Sequence, residues 1–84
     1  MNRLTDLPNI GPVLAANLRK IGVETPEQLR KLGSMEALRR IRVQVDPGAC
    51  LNQLQALEGA IEGIPKKELA AAKREELRDF FQTL

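Results

Sequence analysis

Leu7-Pro8-Asn9-Ile10-Gly11-Pro12 is the stretch on which the reading of the fold turns. Gly11-Pro12 opens a helix, because proline at the first helical position gives up no hydrogen bond and its fixed φ already suits the turn. Asn9 stands where such loops commonly carry a first glycine, and asparagine is the next most tolerant residue of left-handed backbone. The pattern reads as the hairpin of a helix-hairpin-helix unit. In such a unit backbone N–H groups stand beside a helix amino terminus, where phosphate oxygens can dock without base sequence being read.

Working outward, Leu14, Leu18 and Ile21 recur at i, i+4 and i+7, and Gly22 supplies the stop. Thr25-Pro26-Glu27-Gln28 is a capping box that starts a second helix, which buries Leu29 and Leu32 and ends at Gly33. Ser34 is placed to cap a third helix with Leu38, Ile41 and Val45 on its buried stripe, broken by Asp46-Pro47-Gly48. A fourth runs from about Ala49 to Glu62 with Leu51, Leu54, Leu57 or Glu58, and Ile61 at heptad-like spacing. Its small residues Ala56, Gly59 and Ala60 allow a neighbouring helix to come close. Beyond the breaker Gly63-Ile64-Pro65, a closing helix carries Leu69, Leu77, Phe80, Phe81 and Leu84. The expected fold is all-α, a compact bundle of about five short helices forming a single domain over residues 1–84. A shift of 22 residues superposes Leu7 on Leu29, Ile10 on Leu32, Gly11 on Gly33 and Ala15 on Ala37, which hints at a tandem of hairpins.

Composition narrows the function. With no histidine and one cysteine, an ordinary zinc site is improbable, and Ser/His or Cys/His nucleophile pairs cannot be built. Glu75 and Glu76 are adjacent and therefore point apart on a helix, a solvated face rather than an acid-base pair. No enzyme activity and no cofactor are expected, although a polar pocket with convergent carboxylates would reopen the question. A lone Cys50, no signal-like amino terminus and no apolar run near the roughly 20 residues that span a bilayer point to the cytoplasm. Cys50 reads as a small buried hydrophobe beside the fourth helix, with a helix-terminus thiol as the other reading.

The net charge of +2 is unevenly spread: residues 1–44 carry eight Lys/Arg and four Asp/Glu, residues 45–84 five and seven. The candidate duplex DNA contacts are Asn9, Ile10, Gly11 and Val13 in the hairpin, with Arg39, Arg40 and Arg42 on the third helix. Helix ends favour cations in any case, and Glu36 can pair with Arg40 as Glu27 can with Lys31. DNA-binding hairpins usually follow Gly-Pro with a lysine or arginine; here Val13-Leu14 removes that cation from the clamp. Val13 shares a face with Asn17 and Lys20, so it either touches the closing helix or belongs to a protein-binding surface. In the second case Val13 joins Ala56, Gly59 and Ala60 as candidate contacts to a protein partner or another copy. With only two aromatic residues there is no platform for stacking single-stranded bases.

The hairpin, the stretch from Ile21-Gly22-Val23 to Gln28-Leu29, and above all Leu51-Asn52-Gln53-Leu54-Gln55-Ala56-Leu57-Glu58-Gly59-Ala60-Ile61 resemble the carboxy-terminal domain of the TfoX (Sxy) family of bacterial competence regulators. The resemblance covers nearly the whole chain. It implies a SAM-domain-like helix-hairpin-helix fold, a link to regulation of DNA uptake and transcription, and no enzyme activity; it carries over no set of binding residues. The amino-terminal domain of such proteins is not in this sequence, so a role needing both halves is expected to require a separate chain.

Overall fold

The computed structural model describes residues 3–84. Five α-helices, α1 (Pro12–Lys20), α2 (Pro26–Leu32), α3 (Ser34–Gln44), α4 (Leu51–Glu62) and α5 (Ala71–Phe81), are joined by short turns, with no strand among the described residues. Two single 3-10 turns, Leu4–Asp6 and Lys66–Glu68, precede α1 and α5. The first arm of the hairpin is thus one tight turn rather than a full helix, held against α1 by the buried Leu4.

Helix α4 lies at the centre, packed chiefly on α3 and also on α5, α2 and the Lys66–Glu68 turn. Its Leu54 and Leu57 are fully buried with Leu18 of α1, Leu29 of α2, Leu38 and Ile41 of α3 and Leu77 of α5. The core is aliphatic throughout, and Phe80 and Phe81 pack against its edge half-buried. Burying a leucine side chain is worth about 1.5–3 kcal/mol, so these few residues supply most of the cohesion of a chain this short.

The helix ends follow their sequence signals. Gly11 is the N-cap of α1 and Pro12 its first residue. Gly22 takes φ +89°, and the bonds Gly22 N to Arg19 O (3.0 Å) and Val23 N to Leu18 O (2.9 Å) close a Schellman motif. Gly63 ends α4 the same way, with Ile64 N donating to Gly59 O at 2.9 Å. The Thr25 hydroxyl accepts from Gln28 N (3.1 Å), while the Gln28 carboxamide accepts from Thr25 N (3.3 Å). At the break after α3, Asp46 Oδ1 accepts from Gly48 N at 2.8 Å. The repeat at 22 residues has a counterpart in the backbone. Gly11 and Gly33 are the N-caps of α1 and α3, each accepting the first helical bond, from Ala15 N (3.0 Å) and Ala37 N (3.1 Å), and both alanines are fully buried.

Four expectations are corrected. Ser34 does not cap α3: Gly33 both stops α2 and caps α3, so Ser34 is already helical, and its hydroxyl instead donates to Glu58 Oε1 (2.7 Å), tying α3 to α4. Cys50 is exposed, because α4 begins at Leu51 and Cys50 is its N-cap; Ala49 takes the buried place. Leu84 lies beyond the end of α5 and is exposed. Val13 makes no contact that shields it from solvent and stands 76% exposed, so it does not pack under the closing helix.

The small face of α4 is filled from within the chain. A Cβ on Gly59 would lie 2.5 Å from Asn9 Nδ2 and 2.8 Å from Ile64 O. Gly59→Ala is therefore expected to destabilise the fold by about 1–3 kcal/mol, as overpacking does. Gly11→Ala, at φ −92° with open space around it, should change stability by less than about 0.5 kcal/mol. Urea unfolding of the two variants checks the contrast, and equal midpoints would refute it.

Candidate interaction site

Asn9 is the only described non-glycine residue with positive φ (70°). Its side chain is committed inside the molecule. Nδ2 donates to Ile64 O (2.9 Å) and, at the limit of hydrogen-bonding length, to Ala56 O (3.4 Å), while Oδ1 accepts from Lys66 N (3.0 Å). The hairpin is thereby fastened to the end of α4 and to the turn that follows. Ile10 beside it is buried in the core, so only its backbone could meet a ligand.

Gly11, Pro12 and Val13 remain exposed. Among the described residues the N–H groups of Val13 and Leu14 donate to no carbonyl, since the first helical bond of α1 is Ala15 N to Gly11 O. These orphan donors carry the positive end of the helix dipole. They border a cleft of about 330 Å³ between α1 and α4 that is lined by Asn9, Gly11–Leu14, Asn17, Asn52, Gln53, Ala56 and Lys66. Its lining contains no carboxylate. Lys66 Nζ donates to Asn52 Oδ1 at 2.8 Å, and Gln53 Oε1 is buried without a hydrogen-bond partner.

The arginines lie elsewhere. Arg39 and Arg40 share Glu36, with shortest N to O distances of 2.5 and 2.8 Å. Arg42 donates to Ala49 O (2.8 Å), and its guanidinium lies 5.1 Å from the centre of the Phe81 ring. The hollow containing Arg39 and Arg42 also holds Val43, Pro47 and Leu84; Arg40 lines another with Ile21, Gly22, Val23, Gln28, Lys31 and Leu32. Neither shares a residue with the cleft beside Val13. The hairpin and the arginines thus line separate hollows. Of the expected protein contacts, Gly59, Ala60 and Ala56 are buried, Ala56 at the edge of the cleft, and Val13 is exposed beside it. Asn52, Gln53 and Lys66 were not singled out from sequence, since polar residues between the leucines of an amphipathic helix carry no distinguishing mark.

Carboxylates do converge in one further hollow, lined by Ser34, Glu36, Glu58, Lys73 and Glu76 with Leu32, Gly33, Met35 and Phe80. Each is engaged: Glu36 by two arginines, Glu58 by Ser34, and Glu76 by Lys73 at 2.6 Å. Hydrogen bonds from Arg39 and then Arg40 hold the Glu36 carboxyl down at about 2. Burial pushes Glu58 up, but bonds from Glu62 and Ser34 together with the charge of Lys73 leave it below its ordinary value, while sharing a proton with Glu58 raises Glu62. Among the described residues no cluster of three or more His, Cys, Asp or Glu is placed to hold a metal, and no helix is long and apolar enough to cross a membrane.

A bundle of five short helices with an Asn-Ile-Gly-Pro entry into α1 and the Leu-Asn-Gln-Leu core helix defines the class: the chain belongs to the TfoX C-terminal domain family, which it matches over residues 1–81. Among individual relatives, it is 38% identical over 82 residues to Protein Sxy of Escherichia coli strain K12, a match covering 98% of this chain and 39% of Sxy. It therefore spans about two-fifths of the length of that relative. A crystal structure of an uncharacterized Listeria monocytogenes protein in a triclinic form superposes with a TM-score of 0.94 at 46% identity, covering 96% of this chain and 91% of that one. A tetragonal crystal form of a Listeria monocytogenes protein of unknown function gives 0.91, also at 46% identity, over 95% and 96% of the two chains.

Two outcomes follow from the local chemistry. Asn9→Gly keeps the left-handed backbone but removes the bridge, and should cost about 1–3 kcal/mol; chemical denaturation measures it, and a neutral result would show that the bridge does not fasten the hairpin. Glu36 should titrate near 2 and Glu62 above its ordinary 4.5 in carboxyl-detected NMR. Because the folded value of Glu36 is lowered, its contribution to stability is present above 4.5 and disappears as the pH falls through about 2. The pair is solvent-screened, so that contribution is small.

Proposed function

We propose that this domain is a non-enzymatic regulatory module that works by receiving a protein partner at the cleft beside Val13 rather than by clamping duplex DNA. Membership of the TfoX C-terminal family and the similarity to Sxy support the regulatory role. The observation that carries the choice of partner is Val13 itself, three-quarters exposed at the N-terminus of α1 where a phosphate clamp calls for a cation. An exposed valine beside unpaired amides suits a surface with both apolar and polar character, as protein interfaces have. The arginines that would supplement a DNA contact have partners of their own, in Glu36, the Ala49 carbonyl and the Phe81 ring, and line hollows other than the cleft. Among the described residues Lys66 is the one cation lining the cleft, too little charge for the many phosphate contacts on which non-specific DNA affinity depends.

Fluorescence anisotropy of a short duplex tests this. Affinity is expected to be weaker than about 100 μM even at low salt, and unchanged in an Arg39, Arg40, Arg42→Ala triple variant. In the host cell, Val13→Glu is expected to abolish the domain's effect on transcript levels, with the triple variant retaining it. Tight, salt-steep duplex binding lost in the triple variant would overturn the reading in favour of DNA.

A further inference from the structure

The cleft beside Val13 has a chemistry that selects among partners, and the inference drawn from it rests on the protein-contact reading above. Its floor and walls carry three kinds of group. The uncapped amides of Val13 and Leu14 and the Lys66 ammonium are positive, with no carboxylate lining the cleft to balance them. Asn17 and Asn52 are carboxamides, able to donate to and accept from a peptide group. Val13, Leu14 and Ala56 are apolar. A volume of about 330 Å³ lies at the lower end of ligand sites, room for a side chain or two with their backbone and not for a folded element.

We infer that the cleft binds a short extended peptide segment of a partner protein in which an acidic side chain is flanked by an aliphatic one. The carboxylate meets the α1 amides and Lys66, as anions do at helix N-termini. The peptide groups on either side exchange hydrogen bonds with Asn17 and Asn52, and the aliphatic neighbour covers Val13. A nucleic-acid phosphate would satisfy the positive groups only and cover Val13 with nothing apolar.

The test is a ¹H–¹⁵N NMR titration of the whole chain with a capped pentapeptide of alternating valine and glutamate, beside the same peptide with glutamine for glutamate and a short duplex DNA. Saturable shifts are expected at the Val13 and Leu14 amides and the Asn17 carboxamide with the glutamate peptide, with at least fivefold weaker binding of the glutamine peptide. Val13→Glu and Lys66→Glu should each weaken binding at least fivefold. Val13 is exposed and glutamate in the first turn of α1 favours the helix, so misfolding would not account for the loss in that variant; for the half-buried Lys66 an unchanged thermal melt checks that the variant folds. Val43→Glu, at the other highly exposed valine, should leave binding unchanged. Absence of shifts at millimolar peptide, equal response to the glutamine peptide, or shifts confined to another face would overturn the peptide assignment while leaving the protein-contact reading intact. Duplex DNA shifting the Val13 and Leu14 amides more tightly than the peptide would overturn both.

Discussion

The side chain of Asn9 is the constraint on which the rest of this structure depends. A carboxamide has one donating and one accepting end, and here both are used across a sequence separation of 55 and 57 residues, to Ile64 O and from Lys66 N. The bond geometry is possible because Gly59 has no Cβ in the space that Asn9 and the Ile64–Lys66 backbone occupy. The left-handed backbone at Asn9, the glycine in the middle of α4 and the Schellman turn at Gly63 are three local irregularities, each mildly unfavourable alone. They are mutually consistent in this one arrangement, which is the sense in which a sequence specifies a single fold.

The fold was legible because its punctuation is strong. Gly11-Pro12, the Thr25-to-Gln28 box, Asp46-Pro47-Gly48 and Gly63-Ile64-Pro65 each act through the backbone of their own few residues, and each does in the structure what its chemistry requires. Where local chemistry was ambiguous the reading slipped. Ser34 has a capping side chain, but Gly33 before it had already been used to end one helix and begin the next. Cys50 fits the spacing to Leu54, yet the start of a helix is set within a residue or two by its N-cap, and that shift moves a side chain from core to solvent.

The site was legible only in part, for a physical reason. Helical periodicity puts Val13 on a face with Asn17 and Lys20 but does not say whether the closing helix covers it, and the absence of a cation after Gly-Pro is visible in the residues themselves. That Ala56, Asn52, Gln53 and Lys66 share a cleft with Val13 depends on how α1 lies across α4, which no local pattern encodes. The same limit explains the arginines. Arg39, Arg40 and Arg42 are close in sequence, but helical geometry and the partners each finds distribute them over separate hollows. The small stripe on α4 reads as a place of close approach, and at Gly59 what approaches is the Asn9 side chain and the Ile64–Lys66 backbone.

The Asn9 bridge has a further consequence for timing and turnover. Residues 9–17 form one wall of the cleft and residues 52–66 the other, so the surface exists only when distant parts of the chain are joined. A nascent, nicked or partly opened molecule would offer neither wall in register. An occupant of the cleft would therefore bind only the fully folded chain. By mass action it also prolongs the closed state, so a bound domain would be protected from proteolysis at the hairpin and at the turn after α4 alike.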